Sequence, residues 1–529
     1  MERKKTRIVV SLVEVLLCAV IAKGDTMSER CARIRAVADA VCTITNVAYC
    51  DGRTTDSGPN PLAQWAAADV PEIKGTSGRI RIDFVLKPEA GSDIRCKAEF
   101  AMPEKWDGRM WGHGNSGYAG AMLRISQFAN WGSAAVTTDL GTWAYTDNGT
   151  TNRKVWPDCV RRDYDWRATH LMTVYGKRLV EAFYGRPPRM CYFVGGSCGG
   201  RQAFSEAIRF PADYDGIIAN LPGNNSICKD VDIVALWKQA HDAAGNPLFT
   251  TNDMRIVSDA AVRYMADRDE RPYAGKILSN PFLSERDIDG FLRVAARMEP
   301  RLGEPDLQRR LRNIYLGCTH KGKRVTHGET PGAYLGKQMN WKGLIYFPQF
   351  LIRKGLGMKD VTWEDVEEFV RDYAAGYNAC SDDLDAFRDR GGKLMVTVGL
   401  EDQTVSPAPQ IAHFERVVRR HGGDLERVQS FYRLFAIPGC AHGGGKGRAM
   451  TCPPCGPDQW KQIVDWRERG CAPERFITYW KPEKFKMPVA VYPKRLVMDG
   501  DGKWVEREFD RTAIRETDPF YLQCETKPQ

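Results

Sequence analysis

A serine framed by glycines stands where an apolar run gives way to a helical one. MCYFVGG at 190–196 leads into Ser197, Cys198 and Gly199, and then into RQAFSEAIRF. No other stretch restricts the fold as much. A serine at a strand-to-helix corner sits in a tight turn, and glycines two before and two after it remove the Cβ atoms that would block that turn. The corner pushes the Ser197 hydroxyl beyond the sheet edge. It also leaves the Cys198 N–H at a helix start, where an oxyanion is stabilised. The flanking chain has the matching grammar. RIRIDFVL at 79–86 alternates apolar and polar residues, which predicts a half-exposed strand, and RCKAEFAMP follows as its partner after Glu89-Ala90-Gly91. GSAAVTTD is another short apolar run. Between it and MCYFV, Leu171, Val174, Tyr175, Leu179 and Phe183 recur at helical intervals, and Gly185 closes the helix. Strand, helix, strand in this order predicts an α/β chain with a mostly parallel sheet.

From about 224 to 385 the texture changes. Polar helical stretches such as SERDIDGFLRVAARM and TWEDVEEFVRDYAAGYN dominate, broken by the aromatic NWKGLIYFPQF. GGKLMVTVGL then restores a buried strand, and SFYRLFAIPG follows the helical APQIAHFERVVRR. The organisation predicted is a sheet domain in two parts, 23–223 and 386–529, interrupted by a mainly helical lid at 224–385.

An isolated serine is a poor nucleophile and needs a base held by a third group. On an α/β-hydrolase sheet the chain order is serine, acid, histidine. Glu401 and Asp402 follow the strand-like MVTVGL, and Asp402 is preferred because its D-x-x-V-S-P run turns into the next helix. His442, on the glycine-rich loop after FAIPG, is the one of eight histidines placed on a loop directly after a core strand. Ser197, Asp402 and His442 are the predicted nucleophile, acid and base.

Here a family resemblance enters. YFVGGSCGGRQAFSEAIRFPADYDGIIANLP is similar to the nucleophile region of tannases and feruloyl esterases, with Arg201, Gln202, Pro211, Asp213, Asp215, Gly216 and Ile217 on the family pattern. PEKWDGRMWGHGNSGYAG, TTDLG, DWRATHLMTVYGK, the strand before Asp402 and IPGCAHGGGKG resemble further family segments. The resemblance implies an α/β-hydrolase fold with a large helical lid and hydrolysis of aromatic esters, galloyl or hydroxycinnamoyl, with terephthalate-type and non-aromatic esters as alternatives. It implies a second oxyanion N–H near Ser116-Gly117, beside that of Cys198. Trp341, Tyr346, Phe347 and Phe350 become candidate lid contacts for the substrate, or else lid core. Two departures stand out. Family members carry cysteines, joined as a disulfide, where this chain has Gly196 and Gly443; Cys198 with Cys440 would be a displaced equivalent. Family lids also hold an Asp-rich calcium loop. Asp267 and Glu270 are retained here, but Ala274 stands where another aspartate is expected, and calcium takes about six to eight oxygen ligands. No cofactor is required; calcium in the lid is the one candidate.

Composition sets the remaining limits. The formal charge of +9 is small and dispersed over 529 residues, so no nucleic-acid partner is expected. Glu2-Arg3-Lys4-Lys5 followed by IVVSLVEVLLCAVIA has the form of a signal peptide over 1–22, with Val20 and Ala22 before the cut and Glu14 interrupting the apolar run. A buried or interfacial first helix is the alternative. No other run is long enough to span a bilayer, so the chain is expected to be secreted or periplasmic without stable membrane insertion. Sixteen cysteines in an exported chain suggest a partial disulfide framework, Cys455 to Cys471 among the candidates. A non-catalytic binding protein on a hydrolase scaffold is the rival of a different class.

Overall fold

The computed structural model describes residues 25–51, 78–115, 117, 120, 122–145, 154–266, 277–278, 280, 282–442, 457–480 and 485–523. The 1–22 segment, Asp267, Glu270, Gly443 and Cys455 lie outside these residues.

Nine strands form one sheet: β1 (Cys42–Cys50), β2 (Arg79–Leu86), β3 (Ile94–Ala101), β4 (Arg109–His113), β5 (Ala134–Thr138), β6 (Met190–Gly196), β7 (Gly216–Asn220), β8 (Lys393–Gly399) and β9 (Tyr432–Ile437), in the order β1-β2-β3-β5-β4-β6-β7-β8-β9. The first three pair antiparallel with one another and β3 with β5; from β5 to β9 every pairing is parallel. Sequence explains the difference. β5 and β7 read AAVTT and GIIAN and are buried throughout, as strands covered on both faces must be. The edge strand β1 is buried only at its two ends, Cys42 and Cys50, and exposed at Thr43, Thr45, Asn46 and Tyr49. The helix predicted from Leu171 to Phe183 is α1 (Ala168–Tyr184), closed by Gly185 at φ 78°, where a side chain would be strained. The chain is thus an α/β-hydrolase fold with a large helical insertion between β7 and β8.

One core covers one face of the sheet around Met110, Val136, Phe193, Ile217 and Val396; a second, on Trp111, Tyr192, Ile218 and Trp460, covers the other. The insertion has a third core of its own, running from Leu236 to Met339 and built on the end of α3 (Ser226–Ala240) and on α4 (Thr251–Met265), α5 (Glu285–Met298) and α6 (Pro305–Leu316). The later helices α7 (Tyr346–Lys354) and α8 (Trp363–Tyr377) pack into the sheet's core instead.

Cys42, Cys96, Cys191, Cys228 and Cys318 are buried free thiols and Cys471 is an exposed one. The buried ones pack as small apolar residues, and burial pushes the Cys42 thiol up to about 11; Cys455, the expected partner of Cys471, lies outside the described residues. No helix among the described residues is long and apolar enough to cross a membrane.

Candidate active site

The parallel strands deliver their carboxyl ends to one edge of the sheet, and the predicted site residues follow three of those ends. β6 runs into Ser197, which takes φ 57° and ψ −115° before α2 (Cys198–Arg209) begins. Close backbone packing explains the glycines. A Cβ on Gly195 would lie 2.4 Å from the Gly199 carbonyl oxygen, and one on Gly199 would lie 2.6 Å from that of Asn115. Gly196 differs, with its nearest neighbour at 3.5 Å. The Ser197 N–H donates to the Asn220 carbonyl at 2.9 Å, and the Ser197 carbonyl accepts from Gly223 N–H at 3.0 Å, so the elbow is held by the chain leaving β7.

The acid and histidine loops are stitched together in the same way. Leu400 N–H donates to Ile437 and Glu401 N–H to the Cys440 carbonyl, and a Cβ on Gly399 would lie 2.5 Å from that same Cys440 oxygen. Asp402 is buried; its Oδ1 accepts from the N–H groups of Thr404 and Val405 at 2.8 and 2.7 Å. Its Oδ2 stands 2.7 Å from His442 Nδ1, and His442 Nε2 stands 3.0 Å from Ser197 Oγ. A carboxylate can only accept, so Nδ1 carries the proton and Nε2 is left to receive the serine O–H. The carboxyl of Glu401 turns away, towards Gly332 and the N–H of Leu278. Elsewhere burial holds His113 down at about 4 and His327 and His413 at about 3, so these rings stay neutral and enclosed.

Asn115 and Gln202, not singled out as site residues from sequence, fix the loop after β4. Asn115 N–H donates to Gln202 Oε1 at 2.8 Å, its carbonyl accepts from Gly199 N–H at 2.8 Å, and its amide donates to the Thr138 carbonyl at 2.6 Å. Gln202 in turn donates to Thr169 at 2.7 Å. Gly117, two residues further, has φ 56° with open space where its Cβ would be. Cys198 opens α2, so its N–H has no helical partner four residues back. Its thiol is free, 3.3 Å from Tyr164 Oη, so the displaced Cys198–Cys440 link is not formed. Arg201 is fully buried between the rings of Tyr164 and Tyr377, 4.9 and 4.7 Å from their centres, and donates to the carbonyls of Tyr164 and Asp165.

Beside His442 opens a cleft of about 620 Å³. Gln403 and Thr404 line it from the acid loop; Arg255, Tyr334, Lys337 and Trp341 line it from the insertion. A capping box at Thr250 and Asp253 fixes the start of α4, which carries Arg255. Of the four candidate aromatic contacts, the structure brings only Trp341 to this cleft. Tyr346, Phe347 and Phe350 are corrected to core. Tyr346 donates to Asp165 at 2.5 Å, while Phe347 and Phe350 pack on Phe369, all fully buried. Phe350→Ala should therefore lower stability by about 3–5 kcal/mol in thermal unfolding. Trp341→Ala should leave the melting temperature in place and raise KM for an aromatic ester. The reverse pattern would return the α7 aromatics to the substrate.

Fold and site together define a carboxylic ester hydrolase. The sequence profile described as tannase and feruloyl esterase matches residues 81–274 and 355–508. The chain belongs to that family. A probable feruloyl esterase B of Aspergillus niger is 27% identical over 530 residues, covering 94% of this chain and 98% of the relative. An uncharacterized esterase of Xanthomonas campestris is 28% identical over 505 residues, 84% of this chain and 85% of its own. Among solved structures, feruloyl esterase B from Aspergillus oryzae superposes with a TM-score of 0.74 at 21% identity, covering 92% of this chain and 98% of that one. Tannin acyl hydrolase from Aspergillus niger gives 0.67 at 15% identity, covering 91% and 95%.

Proposed function

We propose that the protein is a serine esterase for aromatic-acid esters, working through an acyl-enzyme on Ser197. The observation that carries this reading is the hydrogen-bonded line from Asp402 through His442 to Ser197 Oγ, at 2.7 and 3.0 Å. His442 Nε2 takes the serine proton as Oγ attacks the ester carbonyl; Asp402 holds the ring and stabilises the imidazolium that forms. The N–H groups of Cys198 and Gly117 receive the oxyanion. His442 then gives its proton to the leaving alcohol, and a water deprotonated by the same nitrogen releases the acid. No step calls for a metal or a cofactor.

Aromatic acyl groups, galloyl or hydroxycinnamoyl, are favoured by Trp341 and Tyr334 in the cleft and by the names of the relatives. A second reading, an ester that itself bears a carboxylate as a terephthalate monoester does, is favoured by Arg255 and Lys337 on the same wall. A panel of methyl gallate, methyl ferulate, a terephthalate monoester and short p-nitrophenyl esters separates them by kcat/KM. The first reading expects the gallate or ferulate ester to lead, and a lead for the short aliphatic ester sinks both. No hydrolysis of any member would favour a binding protein on this scaffold.

The basic and apolar start of the chain supports export to the periplasm or medium. Protein recovered from its own host should have an intact mass that begins near Lys23. A chain that retains 1–22 in the cytoplasm overturns this.

A further inference from the structure

We propose that His170, Glu206 and Asp213 form a binding site for a divalent transition-metal ion at the far end of the nucleophile helix. His170 lies on α1, Glu206 on α2, and Asp213 in the turn between α2 and β7. Glu206 is eight residues beyond Cys198, about 12 Å along the helix, so the cluster is separate from the Ser197 hydroxyl.

The ligand-capable atoms of the three side chains all lie within 4.8 Å of one another. Glu206 is 1% exposed, no N–H or hydroxyl among the described residues donates to its carboxyl oxygens, and the group they meet is the carboxyl of Asp213. Asp213 turns its Oδ2 to His170 Nδ1 at 2.7 Å, while its Oδ1 faces Lys177 Nζ at 3.5 Å. Two carboxyl groups placed side by side away from water cannot both keep their charge unless a proton or a cation stands between them. Burial and the neighbouring Asp213 accordingly push the Glu206 carboxyl far up.

The donor set decides which cation would fit. One imidazole nitrogen with two carboxylates suits zinc and its neighbours in the first transition row. The His170 ring is already held, stacked on Phe210 at 3.8 Å and 11°. Its side chain is 27% exposed, so an ion has a path in and solvent can supply a fourth ligand. Coordination through Nδ1 places the His170 proton on Nε2, and both carboxyl groups bind the ion in their deprotonated form. The bound ion would tie α1, α2 and the β7 approach together along the seam that Gln202 and Thr169 begin. Its role is to clamp the helix that carries Ser197, with no part in the ester chemistry.

The test uses the full-length enzyme stripped of metal by chelation and dialysis, then titrated with Zn²⁺ by calorimetry, with metal content by mass spectrometry and Co²⁺ absorption as a second probe. The expected result is one ion per chain, a melting temperature raised by a few degrees at saturation, and binding weakened at least about tenfold in both Glu206→Gln and His170→Ala. His170 is partly exposed, so His170→Ala decides the matter should Glu206→Gln fail to fold. Zinc binding unchanged in the variants overturns the proposal, because the ion then sits elsewhere. No saturable binding by the wild type also overturns it and leaves a shared proton as the occupant.

Discussion

Ser197→Ala is expected to lower kcat by roughly four to six orders of magnitude while leaving the melting temperature near that of the wild type. The hydroxyl is the only atom removed, and the elbow is held by backbone bonds to Asn220 and Gly223 that alanine keeps. A fluorophosphonate probe should label the wild type at Ser197, mapped by peptide mass, and leave the variant unlabelled. Asp402→Asn should fall by about four orders of magnitude for a different reason. An amide in place of Oδ2 donates where the carboxylate accepted, so His442 would turn its proton towards the serine and lose the lone pair that serves as base. Undiminished hydrolysis by Ser197→Ala would sink the acyl-enzyme mechanism outright.

The second large effect should come from a single methyl group. Gly199→Ala drives a Cβ to 2.6 Å from the Asn115 carbonyl oxygen and 3.0 Å from the Gly114 carbonyl carbon, both backbone atoms that cannot swing aside. The expected cost is about 1–3 kcal/mol of stability. Displacing Gly114 and Asn115 from α2 should also cost about a hundredfold in kcat. Gly196→Ala, three positions away in the same motif, meets nothing nearer than 3.5 Å and should be close to neutral on both counts. Equal penalties for the two variants, by thermal melting and steady-state kinetics, would refute the steric account. Gly196, where an added Cβ would make only ordinary contacts with Asn220, is also where the family resemblance places a cysteine, so that side of the absent tie is not closed off by packing.

The strands were legible because their physics is local. RIRIDFVL, MCYFVGG and KLMVTVG form β2, β6 and β8 within a residue or two of their apolar runs. The order of Ser197, Asp402 and His442 was legible too, since the fold allows few places for an acid and a base after an elbow. The aromatic run at 341–350 was not. Tyr346, Phe347 and Phe350 recur at helical spacing, and that pattern is the same whether the stripe meets a substrate or a core. Only the packing of α7 against α8 decides it. The joint role of Asn115 and Gln202 was hidden for the opposite reason, although Gln202 itself falls on the family pattern. Their roles lie in hydrogen bonds between segments 87 residues apart, which no periodicity records. Cysteines are read poorly from their number, because a count cannot distinguish an oxidised pair from a thiol filling a gap, as the buried Cys42 and Cys96 do.

The cleft beside His442 has walls of two origins. One wall belongs to loops anchored on the sheet, where Gln403 and Thr404 adjoin the reacting groups. The other is carried by the insertion, where Tyr334, Lys337 and Trp341 alternate with Leu335 and Met339 of the core that runs from Leu236 to Met339. Substitutions accumulating in that separate core could therefore reshape what the cleft admits without disturbing the strands that hold Ser197, Asp402 and His442. A lineage built this way can change its diet while inheriting its chemistry intact.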